Sequence, residues 1–157
     1  MARADIALTP AEIAAFLDEH HLVHVATLRS SGMPHLVTLS YIVLDQRIAF
    51  WSYAGAQKIV NLRRDPRLAC LVEDGDAPDT VVGVELEGTA RLVADRATIQ
   101  EIGRRVYERT TGVPADDAML QRMGADKRVG VIVEPERIAS WDHRKIKGGY
   151  LGRGLSG

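Results

Sequence analysis

Lys58, Asn61, Arg63, Arg64 and Arg67 crowd one short stretch, WSYAGAQKIVNLRRDPRLACLV, residues 51 to 72. On a helix, Lys58 and Asn61 stand one turn apart and project to nearly the same side. Open backbone N–H groups at a helix N-terminus, a lysine charge and an asparagine amide together suit a phosphate. The same charges would also solvate an ordinary surface helix, and spacing alone leaves both readings open.

Other chemistry has no visible apparatus. The chain contains no glycine-rich phosphate loop, no His-Glu-x-x-His pair and no serine in a nucleophile elbow. His20 and His21 fall at a helix end and His24 on a strand, so no pair has metal-ligand spacing. Cys70 is the only cysteine, which excludes an internal disulfide and a cysteine-based zinc site; within LACLV it reads as a buried strand residue. Tyr41, Tyr53 and His143 are conceivable proton donors by residue type alone, and no catalytic residue is assigned.

The elements that must position these groups follow from periodicity. TPAEIAAFLDEHH opens with Thr9 as a cap, Pro10 in the first turn and Glu12 three residues after the cap, and Ile13, Phe16, Leu17 and His20 share one face. Residues 22 to 53 hold three strand-like runs, broken at Ser30 to Pro34 and at Asp45 to Arg47, and read as an antiparallel meander. Both faces of the second run are largely apolar, so it is expected to be central or at an oligomer interface. Residues 57 to 65 read as a short helix with Ile59, Val60 and Leu62 turned inward, stopped by Pro66. RLACLVE is a fourth strand and VVGVELEGTARLV a long fifth, in which Gly83 and Gly88 mark bends or bulges. A helix from DRATIQ to Gly112, a short helix in VPADDAMLQRMG, and a closing pair of strands, VGVIVEP and RIASWDHRKI, complete the set. About six closely spaced strands with inserted helices point to a small barrel.

The 157 residues, 46% apolar and 26% charged, fit one domain over residues 1–147, and the glycine-rich tail 148–157 is expected to be mobile. Twenty basic against 21 acidic residues give a formal charge of -1, so no overall field draws nucleic acid or an anionic membrane. No apolar run is long enough to span a bilayer, and MARADIALTPAE lacks a signal peptide's apolar stretch; a cytoplasmic location is expected.

The order TLRSSGMPHLVTLSYIVLDQRIAFWSYAGAQKIVNLRRDPRLACLVE resembles the N-terminal half of the pyridoxamine 5'-phosphate oxidase-like superfamily, the flavin-binding split β-barrels. The shared elements are a first strand ending in Ala-Thr, a Gly-x-Pro turn, a second strand, an aromatic third strand, and K-x-x-N-L-R-R-D-P before the fourth. VELEGTARLV is similar to the fifth strand, with its E-x-x-G-x-A, and SWDHRKI to the Trp-containing terminal strand, so the resemblance spans roughly residues 9 to 145. The N-L-R-R-D-P run resembles the branch that uses the deazaflavin coenzyme F420.

This resemblance implies an α+β fold, mainly β: a six-stranded antiparallel split β-barrel with flanking helices. It implies that Val37, Thr38, Leu39 and Ser40 line the ring of the cofactor, and that Trp51 and Ser52 lie near its ribityl and phosphate. Gln57 and Lys58 match the phosphate-binding pair, with Asn61 one turn on, and Arg64 or its neighbours would meet the acidic tail of coenzyme F420. Gln57 and Ala56 depart from the family, in which the pair at 57 and 58 is commonly Arg-Lys in the FMN oxidases and some deazaflavin-binding relatives carry arginine at 56. The Arg-x-His-x-Arg motif of the pyridoxamine phosphate oxidases is missing from WDHRKI. The resemblance further implies a homodimer with the sites between subunits, where Trp141 and His143 could come from the partner; Trp141 as plain core packing is the other reading. The implied activity is hydride transfer from the reduced deazaflavin to a small unsaturated or conjugated acceptor. An FMN-dependent oxidase or reductase, or a non-catalytic flavin-binding protein, are the competing expectations.

Overall fold

The computed structural model describes residues 3–146, so the expected tail 148–157 lies outside the described residues. Helix α1 (Pro10–Glu19) starts on the capping box the sequence encodes, with Thr9 Oγ1 accepting from the Glu12 N–H and the Glu12 carboxylate from the Thr9 N–H. Strands β1 (Leu22–Leu28), β2 (Pro34–Ser40), β3 (Ile42–Leu44) and β4 (Arg47–Tyr53) follow. Helix α2 (Gln57–Arg64) leads into β5 (Arg67–Asp74) and β6 (Val82–Val93). Helix α3 (Arg96–Thr111) is capped by Asp95 and ends on Gly112, whose φ of 72° suits glycine. Helix α4 (Asp117–Arg122) and β7 (Arg128–Asp142) end the fold, apart from a 3-10 turn over His143–Lys145 where a strand was expected to run on.

All seven strands form one sheet in the order β2-β1-β5-β6-β7-β4-β3, and every neighbouring pair is antiparallel. The two edge strands, β2 and β3, are consecutive in the chain and joined only through Tyr41. The sheet therefore curls into a barrel that closes at a covalent corner instead of a hydrogen-bonded seam. Tyr41 fixes that corner: it is fully buried, its N–H donates to His21 O at 3.0 Å, and its hydroxyl donates to Leu17 O at 2.7 Å.

This corner corrects the expected meander. The run 34 to 44 is two strands that pair at opposite ends of the sheet, and β2 is an edge strand, not a central one, with Leu36 67% exposed. The expected closing pair is a single strand, β7. Pro135 fits within it because a bulge at Glu87/Gly88 relaxes the ladder there, where a missing N–H costs little. The split run adds a strand and the merged pair removes one, so the seven runs read along the sequence remain seven described strands, one more than the six of the expected barrel. Gly88 sits at the bulge as foreseen, and a Cβ on it would come 2.1 Å from Glu134 O. Gly83 marks no bend; it lies in regular register and makes room for the Trp141 indole, 2.3 Å from where its Cβ would be.

Two cores result. Inside the barrel, Val23, Val25, Phe50, Cys70, Val72 and Val84 pack with Phe16 and Leu17 of α1, and Ile59 and Leu62 of α2 plug one end. Val60 does not join them; at 46% exposed it faces solvent, because the helical turn carries it away from Ile59. Outside the barrel, Trp51, Ala49 and Ile132 pack under Ile99, Ile102 and Val106 of α3. Burial pushes the Cys70 thiol up to about 12, so it behaves as a small apolar residue.

Candidate functional site

Helix α2 presents its N-terminus beside the end of β4. α1, α3 and α4 each have a side chain accepting from their first-turn N–H groups, but at α2 the cap is Ala56, which has no side-chain acceptor. Lys58, on the first turn, reaches back so that its Nζ donates to Ser52 Oγ at 3.1 Å. Gln57 Nε2 donates to Asn61 Oδ1 at 2.8 Å, and Asn61 Nδ2 donates to Thr27 Oγ1 at 3.0 Å. Asn61 is fully buried, so its amide ties α2 to β1 and does not project beside Lys58 into solvent.

Cations gather here without counterions. Among the described residues, no carboxylate lies within ion-pair distance of Lys58, Arg128, Arg29, Arg63 or Arg64. The Lys58 pKa is lowered from the ordinary lysine value, first by burial and then by the charge of Arg128. His35, at the start of β2, is also lowered, by burial, by Arg29 and by Lys58. Arg29 lies 3.1 Å from His35 Nδ1 through its Nη2. Arg128 is stacked 4.4 Å from the Trp51 ring centroid and 4.0 Å from that of Tyr53. A site whose own cations repel one another is a site that favours an arriving anion.

The remaining basic residues of the connector divide. Arg67 forms a close ion pair with Asp65 and is neutralised. Arg63 and Arg64 donate to the backbone oxygens of Ala54 and Leu28 and form no ion pair among the described residues, although the Arg64 charge helps hold the Asp65 carboxyl low.

The structure brings Ser52, Gln57, Lys58, Asn61 and Arg64 together around α2. Trp51 points to the opposite face of β4, packs against Gly103 of α3, and meets the site only through Arg128. Along β2, Val37 and Leu39 turn toward the barrel core while Thr38 is exposed, with its Oγ1 2.9 Å from His24 Nδ1. These residues share no single side-chain surface. What they share is an edge: β2 pairs only with β1, so alternate N–H and C=O groups on its other side are open. Trp141 lies on β7, packed over Gly83 of β6, and β1, β5 and β6 stand between its strand and β2 in the sheet. Tyr41, a conceivable proton donor by residue type, is committed to Leu17 O inside the core. His35, Arg29 and Arg128 were not picked out from the sequence. The first two flank the Gly-x-Pro turn, a signal that was available; Arg128 is remote in sequence and is brought in by β7 pairing with β4.

The chain is thus a split β-barrel protein with an anion-receptive helix end next to an open sheet edge. The profile of the pyridoxamine 5'-phosphate oxidase family matches residues 9–142, and the chain belongs to that family. A conserved hypothetical protein from Mycobacterium tuberculosis is 43% identical, with 92% of this chain and 91% of that chain covered and a TM-score of 0.84. An F420 reductase, 22% identical over 80% of this chain and 94% of that one, superposes with a TM-score of 0.62. A FAD-binding protein from Mesorhizobium loti, 18% identical over 85% of this chain and 94% of that one, gives 0.66. The last two likenesses are of fold. No curated protein matches the chain. No described helix is long and apolar enough to cross a membrane.

Proposed function

We propose that this protein is an oxidoreductase that binds the deazaflavin coenzyme F420 and passes a hydride to a small unsaturated or conjugated acceptor. The observation that carries this reading is the group of uncompensated cations around the uncapped end of α2, with Lys58 Nζ on Ser52 Oγ at its centre. A phosphate there would receive the open N–H groups of α2, the Lys58 ammonium and the Ser52 hydroxyl. The free edge of β2 over Val37 to Ser40 offers alternating donors and acceptors to the polar rim of a flat heterocycle. Arg63 and Arg64 keep charge for an acidic tail, which favours coenzyme F420 over FMN.

The cofactor supplies the hydride chemistry when bound; the chain's part is to orient the ring, neutralise the phosphate and exclude water. That division accounts for a site with no acid–base pair. A flavin-type cofactor is also in keeping with the fold neighbours named as an F420 reductase and a FAD-binding protein. The reading includes a homodimer in which Trp141 would reach the cofactor of a partner subunit.

The test is fluorescence titration with coenzyme F420 and, separately, FMN. Micromolar or tighter binding of the deazaflavin and weaker binding of FMN are expected. Lys58→Ala should lose about 1.5 to 3 kcal/mol of that affinity, the usual contribution of a hydrogen bond to a charged group. Reduced coenzyme F420 and a panel of conjugated acceptors then distinguish an enzyme from a carrier. If neither cofactor binds, or Lys58→Ala changes nothing, the connector is a solvated helix.

A further inference from the structure

At the far end of β4 from Lys58 the barrel is incomplete. β4 pairs with β7 only as far as Ala49↔Ile132, so beyond Pro135 strand β7 has β6 on one side and, among the described residues, no strand on the other. Helix α1 and the residues before it cover this opening and leave a cavity of about 780 Å³ beneath them. The space is a cleft half open to solvent, and its size falls within the range of small-molecule sites.

Its lining is one-sided in chemistry. The core residues Leu17, Ile48, Leu86 and Val133 form part of its wall, and Ile138, 48% exposed, adds apolar surface. Among the described residues, the charged side chains that line it are Arg47 and Arg137, and no carboxylate does. Arg137 pairs with Glu87, whereas Arg47 shares Glu134 with Arg91, so two guanidinium groups face one carboxylate and a positive charge is left over. The roof is fastened by a bond from the Leu8 N–H to Ser140 Oγ at 3.0 Å and by Lys145 Nζ donating to Ala7 O at 3.0 Å and Glu12 Oε2 at 2.8 Å. These polar clasps help hold the cover, whose Leu8, Ile13 and Leu17 line the space.

We propose that this cavity is a second binding site, for a small amphipathic molecule with an apolar body and one anionic head, the body under α1 and the head at Arg47 and Arg137. It lies about 13 Å along β4 from Ser52, so it stands or falls independently of the cofactor reading.

The probe is decanoate, titrated calorimetrically into the full chain, with decan-1-ol as the uncharged counterpart. Saturable binding of one decanoate per protomer is expected, with the alcohol weaker by roughly tenfold or more, the effect of losing a charge-assisted contact. The Arg47→Gln, Arg137→Gln double variant should bring decanoate down to the alcohol's affinity. Ala14→Trp, at an exposed α1 position lining the cavity, should abolish binding of both; Ile138→Trp serves the same purpose should the first variant fold poorly. Lys58→Ala should leave decanoate binding unchanged. Absence of decanoate binding, equal affinity for the alcohol, or binding that survives a folded cavity-filling variant each overturns the proposal. Absence of binding with Ala14→Trp altering the oligomeric state would make the opening an interface between copies.

Discussion

Residue by residue, the α2 region separates side chains that hold the site from one that could hold a ligand. Asn61 and Lys58 have adjacent places in the motif but different fates: Asn61 is sealed between Gln57 and Thr27, while Lys58 is half-buried with only a serine hydroxyl as partner. Asn61→Ala should therefore destabilise the fold by about 1 to 3 kcal/mol, because the buried Thr27 hydroxyl loses its partner. Urea denaturation reads this directly; a stable variant with lost cofactor affinity would instead make Asn61 a ligand. Lys58 is different in kind. Burial and Arg128 disfavour its protonated form in the free protein, and an anion relieves both, so interaction energy is stored where the ligand would collect it.

At the level of elements, the informative feature is a missing cap. Ala56 has the extended φ and ψ of an N-cap, -65° and 145°, but lacks the oxygen that would satisfy the first turn. Ala56→Asp should then have opposite effects on stability and binding. It should stabilise the protein by roughly 0.5 to 2 kcal/mol by capping α2, and it should weaken coenzyme F420 binding by occupying the same N–H groups and adding a negative charge. Thermal melts with a binding titration on the same samples test both halves. Gain of stability without loss of affinity would show that α2's N-terminus does not meet the phosphate. Elsewhere, sequence periodicity located the helices well: the capping box of α1, the Asp95 and Gly112 limits of α3 and the Pro66 stop after α2 are all local signals. It failed at β2 and β3, because both halves of the 34 to 44 run are apolar enough for one strand and only Tyr41's buried bonds to Leu17 and His21 reveal the corner.

For the whole molecule, the outward face of β2 and β1 is the surface to test. Leu36 and Leu22 on it are 67% and 50% exposed, and Met33, in the turn between the strands, is 64% exposed. This is more apolar surface in one place than a solitary barrel needs. If the homodimer forms through it, sedimentation velocity should give a dimer for the wild type and a monomer for Leu36→Glu. The circular dichroism spectrum of the variant should be unchanged, since an exposed side chain carries little of the fold. The variant should also bind the cofactor more weakly if the partner contributes Trp141. A monomeric wild type would remove the partner from the site altogether.

The local sequence by itself determined what depends on neighbours along the chain. Helix caps and stops, strand alternation in Val84, Leu86 and Gly88, the burial of Cys70, and the K-x-x-N-L-R-R-D-P run that marks the family were all legible there. The tertiary structure alone decided which charges remain without partners. Arg67 and Arg64 look alike in sequence, yet the first is paired directly with Asp65 while the second donates to a carbonyl and feels Asp65 only at longer range. It also moved Arg128 next to Lys58 from seventy residues away, by pairing β7 with β4. The cavity under α1 has no local signature, because it arises where two strands part, and only the sheet's register determines where that occurs.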